Sequence, residues 1–217
     1  MAAADVIEIT VTGKQTHGSS PWLGVDPIPV AAQIITALQT IPSRQLDVTV
    51  APSVLTLGMI NGGMRGNIIP DEVEMVGTIR NFDEGVRREM MERIERTVTL
   101  VAQSAGASAD VRFSDSIPVT HNDPDLVSQM LPTLKRSTTV GVEEHLPIMG
   151  YEDFSYFQQK IPGLMFFLGV NLDGVAAGEA ASNHSPYFMV NDAALSTGVR
   201  SLSNLALDYL DSVADAP

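Results

Sequence analysis

Hydrophobic and polar positions run with two distinct periods along the first half of the chain. Ile7, Ile9 and Val11 interleave with Glu8, Thr10 and Thr12, the period of two that lets one face of a strand be buried. Asp26-Pro27 then reads as an N-cap and a first helical residue, and Val30, Ile34, Leu38 and Ile41 fall on one stripe, predicting a helix to about Pro42. β-branched residues from Val48 to Ile60 predict a second strand, closed by the Asn61-Gly62-Gly63 turn. A third strand spans about Glu72 to Asn81, and the two form a hairpin with a long loop. Asp83 and Glu84 sit where a helix N-terminus favours negative charge, and Val86, Met90, Ile94, Val98 and Val101 recur at helical spacing until Gly106. Ala109, Val111 and Phe113 alternate again as a fourth strand.

The order β-α-β-β-α-β is that of a ferredoxin-like α+β sandwich, with helices on one sheet face, ending near Pro118. Beyond it the pattern thins. A helix opens at Asp123-Pro124, a short one covers about Phe154 to Lys160, and a last one runs from about Asp192 to Leu210. Between them the apolar run Leu164 to Val170 reads as a strand buried on both faces, whose partner strands are not in this sequence. The loop from Asn171 to Ser185 is long for a structureless connection, which points to function.

Composition narrows the chemistry. With 217 residues, 44% of them hydrophobic, the chain can bury a core. A formal charge of -13 argues against nucleic acid as a partner, because phosphate binding needs clustered Lys and Arg. No apolar run reaches the ~18 residues of a membrane span, and the first residues lack a signal-peptide pattern, so a cytoplasmic setting is expected. The absence of cysteine leaves His, Asp and Glu as the metal ligands on offer.

Each histidine has a functional and a plain reading. His184, in Asn183-His184-Ser185-Pro186 at the end of the long loop, is a metal-ligand candidate or a satisfied surface histidine. His17 lies in a small-residue loop between the first strand and helix, where it either projects toward a ligand or is simply exposed. His121 and His145 sit in contexts of helix start and solvated surface. Glu152 and Asp153 either cap a helix or orient a metal-bound histidine. Asn67 follows the glycine turn, and the Arg80 fork suits a substrate carboxylate, although most strand arginines bind none.

Several stretches in the same chain order resemble the aminoacylase, hippurate hydrolase and carboxypeptidase family of dinuclear metallopeptidases, in the branch of the indole-acetyl-amino-acid hydrolases. They are Gly13-Lys14-x-x-His17-x-x-x-Pro21-x-x-Gly24-Val25-Asp26-Pro27-Ile28, Gly62-Gly63-x-x-x-Asn67-x-Ile69-Pro70-Asp71, Gly77-Thr78-x-Arg80, Glu152-Asp153-Phe154-Ser155-Tyr156-Phe157 and His184-Ser185-Pro186-x-Phe188. The resemblance implies that residues 5–117 are a ferredoxin-like lid that also makes a homodimer. Residues 118–217 would then be the C-terminal segment of an α/β metallopeptidase catalytic domain. It further implies that His184 is a metal ligand, that His17 stabilises an oxyanion, and that Asn67 and Arg80 hold substrate, generally across the dimer. Glu152 and Asp153 would orient the metal ligands. Two divalent cations, zinc or manganese, would serve each complete active site, acting on N-acyl amino acids or related small amides through an activated water.

The general base and other metal ligands of that family precede the lid, so the chain is expected to be a truncated one, inactive until an upstream catalytic half is supplied. The alternative is a non-enzymatic dimerisation or small-molecule-binding module derived from such an enzyme. A smaller departure is Gly18-Ser19-Ser20, where many relatives carry alanines; it is expected to change local packing alone.

Overall fold

The computed structural model describes residues 1–176 and 178–214. They fall into two compact units, one of residues 1–120 with 147–160, the other of residues 121–146 with 161 onward. The segment 147–160 thus packs with the lid-like residues, whereas the sequence pattern alone groups it with the C-terminal half. Its attachment is backbone-made, since Ala2 N–H reaches the carbonyls of Ile148 at 3.2 Å and Gly150 at 3.0 Å.

In the first unit the strands are β1 (Ala3–Thr12), β2 (Ser53–Gly62), β3 (Glu72–Asn81) and β4 (Ser108–Ile117), with α1 (Pro27–Leu38) and α2 (Glu84–Ser104) between them. The sheet is antiparallel in the order β2-β3-β1-β4, the ferredoxin-like arrangement that the element order implies. Ile7, Ile9, Val11, Val73, Met75 and Ile79 project from it onto Val30, Ile34 and Leu38 of α1 and Met90, Ile94 and Val98 of α2. Full burial of each such side chain contributes about 1.5–3 kcal/mol. The helices start where the acidic residues place them. Asp26 accepts from the Ile28 amide at 3.0 Å, and Asp83 from Gly85 at 2.7 Å and Val86 at 2.9 Å.

Two boundaries differ from the pattern. β2 begins at Ser53 rather than Val48, because the Asp47 carboxylate accepts from the amide (2.9 Å) and hydroxyl (2.6 Å) of Thr49 and folds that stretch into a turn. α1 ends at Leu38, and Ile41–Gln45, with Pro42 among them, forms a separate wider turn. Gly77 has a packing cause: a Cβ there would lie 2.0 Å from the Thr56 carbonyl oxygen, beside the bulge between Leu57 and Met59.

In the second unit α3 (Pro124–Ser137), capped by Asp123, packs against α5 (Asp192–Ala214). The segment Leu164–Val170, read from the sequence as a strand, joins no ladder among the described residues. Its main chain instead meets side chains and loops. Asn122 exchanges two bonds with Met165, 2.7 and 2.8 Å, and Asn191 N–H donates to the Val170 carbonyl at 2.8 Å. The helix α4 (Phe154–Gln158) belongs to the first unit.

Candidate active site

His17 stands on a miniature ladder at one end of the main sheet. Thr16 and His17 pair antiparallel with Ile69 and Ile68, and the Gly18 amide donates to the Asn67 carbonyl at 2.8 Å. Asp71 anchors the base, its carbonyl accepting from Gly13 at 2.7 Å and its carboxylate from the Gln15 amide at 2.9 Å. Gly13 is needed there because a Cβ would lie 2.2 Å from the Val25 carbonyl oxygen, which pairs with Lys14. The ladder therefore sets His17 and Asn67 side by side, both exposed, at the rim of an open groove that includes Gly63, Met64 and Gly66.

Two groups of Ser19 converge on one nitrogen of the His17 ring. Nδ1 accepts from the backbone N–H of Ser19 at 3.1 Å and lies 2.7 Å from the Ser19 hydroxyl. Nε2 has no partner among the described residues, and His17 is exposed. Nothing in the periodicity marked Ser19. The only signal was its place two residues after a candidate histidine, a spacing that lets a main-chain amide and a hydroxyl reach back to the ring.

Arg80 occupies the other end of the same sheet. It lies on β3 opposite Ala4 and Val54, eight residues past Glu72, which at ~3.3 Å per residue is roughly 26 Å along the strand. Its Nη1 donates to the Ile79 carbonyl at 2.9 Å, and its guanidinium lies 5.4 Å from the centre of the Tyr151 ring. Tyr151 opens the segment that carries Glu152 and Asp153. Asp153 takes the N-cap position of α4 without a side-chain capping bond, and neither carboxylate bonds another described residue. The sequence pattern does not reveal Tyr151, whose pairing with a strand 71 residues earlier no local signal shows. So Arg80, Glu152 and Asp153 gather at one end of the unit and His17 with Asn67 at the other.

His184 belongs to the second unit, on successive turns in which Ser185 N–H donates to the Ser182 carbonyl at 2.9 Å and Phe188 N–H to that of Ser185 at 3.1 Å. Its side chain is exposed. His145 is used locally, its Nδ1 bonded to the Leu146 carbonyl at 2.6 Å and its ring against Phe167. Among the described residues no group of three or more His, Asp and Glu could hold a metal ion. These residues therefore do not make a metal site by themselves, and His184 offers one imidazole nitrogen. No described helix is long and apolar enough to cross a membrane.

Known proteins match the chain along most of its length. The peptidase dimerisation domain family matches residues 5–105. The chain is 38% identical over 210 residues to thermostable carboxypeptidase 2 of Saccharolobus solfataricus, covering 96% of this chain and 52% of that one. It is 36% identical over 200 residues to an N-acetyldiaminopimelate deacetylase of Leuconostoc mesenteroides, covering 91% and 50%. Among solved structures it superposes on the Bacillus subtilis YXEP protein, a dinuclear metal-binding peptidase from the M20 family, with a TM-score of 0.75 at 27% identity, covering 97% of this chain and 51% of that one. The chain spans about half the length of the curated relatives it matches.

Proposed function

Because the chain belongs to the M20 peptidase family, its residues 5–105 matching the peptidase dimerisation domain, we propose that it works in hydrolysis of the amide bond of N-acyl amino acids or related small amides. In this reading residues 5–117 are the lid and dimerisation domain, and residues 118–217 are the C-terminal segment of the catalytic domain. The carboxypeptidase and deacetylase relatives support the reaction class.

The observation that carries the reading is that a two-residue ladder, His17 opposite Ile68 and Gly18 bonded to the Asn67 carbonyl, brings His17 and Asn67 together with both exposed. The Nε2 of an exposed ring suits the oxyanion that forms when an amide carbonyl is attacked, and a carboxamide beside it suits the substrate's polar groups. Arg80 offers Nε and Nη2 to a substrate carboxylate, its plane set by Tyr151 and the Ile79 carbonyl. One small substrate cannot touch both ends of β3 in a single protomer. In this reading His17 and Asn67 therefore serve the active site of the partner subunit, and Arg80 serves a different site from theirs.

β2 supports the homodimer this requires. It is an edge strand with no charged residue, and it exposes Val54, Met59 and Ile60. The opposite edge, β4, carries Asp110, Arg112 and Asp115, which guard it.

His184 would be one ligand of the metal site, with Glu152 and Asp153 orienting its surroundings. The remaining ligands for two divalent cations, zinc or manganese, would come from parts of the enzyme other than the described residues. The second reading is a dimerisation or small-molecule-binding module derived from such an enzyme. Turnover separates the two. The test is hydrolysis of hippurate by this chain, alone and combined with the rest of a catalytic domain, with zinc or manganese added. Metal-dependent turnover of the combination, lowered ~100- to 1000-fold in kcat by His17→Ala, is expected. Silence in both arms would leave the non-enzymatic module.

A further inference from the structure

We infer that Ser19 is the positioning residue that holds His17 as a neutral imidazole with its proton on Nε2, an inference that rests on the reading of His17 as an oxyanion donor. A backbone N–H can only donate, and that of Ser19 meets Nδ1 at 3.1 Å. Nδ1 therefore presents its lone pair, and the neutral ring keeps its proton on Nε2. With a lone pair as its partner, the Ser19 hydroxyl 2.7 Å away donates as well. A ring carrying its proton on Nδ1 would set that hydrogen against the amide hydrogen of Ser19.

The hydroxyl adds what the amide alone does not. It is the shorter of the two contacts, and it fixes the ring from a second direction. It makes no other bond among the described residues, and Ser19 is exposed, so packing gives no reason for a serine there. The backbone is itself pinned. Gly18 N–H is bonded to the Asn67 carbonyl at 2.8 Å, and Ser20 N–H returns to the His17 carbonyl at 2.9 Å. A Cβ on Gly18 would press to 3.2 Å from the Asn67 carbonyl, so the glycine keeps the turn close to its ladder. Ladder, turn and hydroxyl together hold the Nε2–H form of an exposed ring beside Asn67. An alanine at position 19 would keep the amide contact and lose the hydroxyl.

The test reads the ring directly. With ¹⁵N-labelled histidine, long-range proton–nitrogen spectra of the whole chain at about pH 8.5 distinguish a protonated from an unprotonated ring nitrogen. His17→Gln identifies the resonances. The wild-type ring is expected to be the Nε2–H form. In Ser19→Ala the share of the Nδ1–H form rises roughly three- to tenfold, the loss of one ordinary hydrogen bond, and Ser19→Thr restores the wild-type spectrum. A wild-type ring dominated by Nδ1–H, or a Ser19→Ala spectrum identical to wild type, would overturn the inference. Unchanged backbone amide spectra show that the variants are folded. Failure of the functional reading shows elsewhere, as unchanged hippurate turnover in His17→Ala.

Discussion

Arg87 of α2 grips the buried carboxylate of Asp5 on β1 with two parallel bonds, Nε to Oδ2 at 2.8 Å and Nη2 to Oδ1 at 2.5 Å. Ser116 of β4 donates to the same carboxylate at 2.6 Å, and Glu84 takes the third guanidinium nitrogen at 2.9 Å while accepting from the Val119 amide at 2.8 Å. The bonds to Asp5, ahead of those to Glu84, raise the Arg87 pKa further above its already high value, against the opposing effect of burial. Two strands, a helix and the exit from the sheet are tied at one point.

Arg87→Met leaves the Asp5 carboxylate buried without its cation and is expected to cost about 3–5 kcal/mol. The double variant Asp5→Asn with Arg87→Met should recover part of that loss, because the uncompensated charge is gone. Urea unfolding of the four proteins of this cycle measures it. Additive losses would show that the pair is not coupled.

In the second unit Asp208 of α5 accepts from Arg136 and Thr133 of α3. These bonds, that from Arg136 first, hold its pKa below the usual carboxylate value. A depressed carboxylate contributes stability that is present above its unfolded pKa, near 4, and is lost as pH falls through its folded one. Asp208→Asn should therefore melt below wild type at pH 6, and the gap should narrow as pH falls below about 4. Salt should shrink the difference at pH 6, since the pair is largely exposed.

In the homodimer proposed above, the uncharged β2 edge should make association sensitive to charge. Val54→Lys with Met59→Lys sets like charges across the two-fold axis and is expected to weaken self-association at least ~10-fold in Kd. Analytical ultracentrifugation reads the result. Lysines placed on exposed positions of β4, as Ser108→Lys with Asp110→Lys, should leave the dimer in place.

Arg80→Lys keeps the charge but loses the fork and its stacking on Tyr151. KM for an N-acyl amino acid should rise ~10-fold or more in the completed enzyme. For the matching substrate whose carboxylate is replaced by an amide, KM should stay the same. A KM rise for both substrates would place Arg80 outside the carboxylate's reach.

Much of the first unit was legible because its signals are local. Asp26 and Asp83 cap the helices they precede, as Asp123 does in the second unit, and the alternation at Ile7, Ile9 and Val11 marks β1, one of the two strands that pair on both sides. The Leu164–Val170 run misled for the same reason. Apolar β-prone residues specify a strand only where a partner supplies the ladder, and here the Asn122 side-chain amide takes both main-chain groups of Met165 instead. The candidate residues could be named but not arranged. That His17 adjoins Asn67 follows from a two-residue ladder, and that Arg80 lies a whole strand away follows from where the sheet ends. Ser19 reads as a packing residue in the sequence because its bonds go to a ring nitrogen, and no sequence period reports such a contact.

The most direct test is complementation between two inactive forms of the completed enzyme, His17→Ala and His184→Ala, mixed so that their subunits exchange. Each alone should hydrolyse hippurate at ~1% of the wild-type rate or less. In a mixed dimer one active site combines an intact His184 with an intact His17 from the other subunit. Random exchange makes half the dimers mixed, with one good site each, so activity should return to about a quarter of wild type. If His17 and His184 instead act within one chain, no site in any dimer holds both. Activity would then stay at the level of the separate variants, contradicting the account.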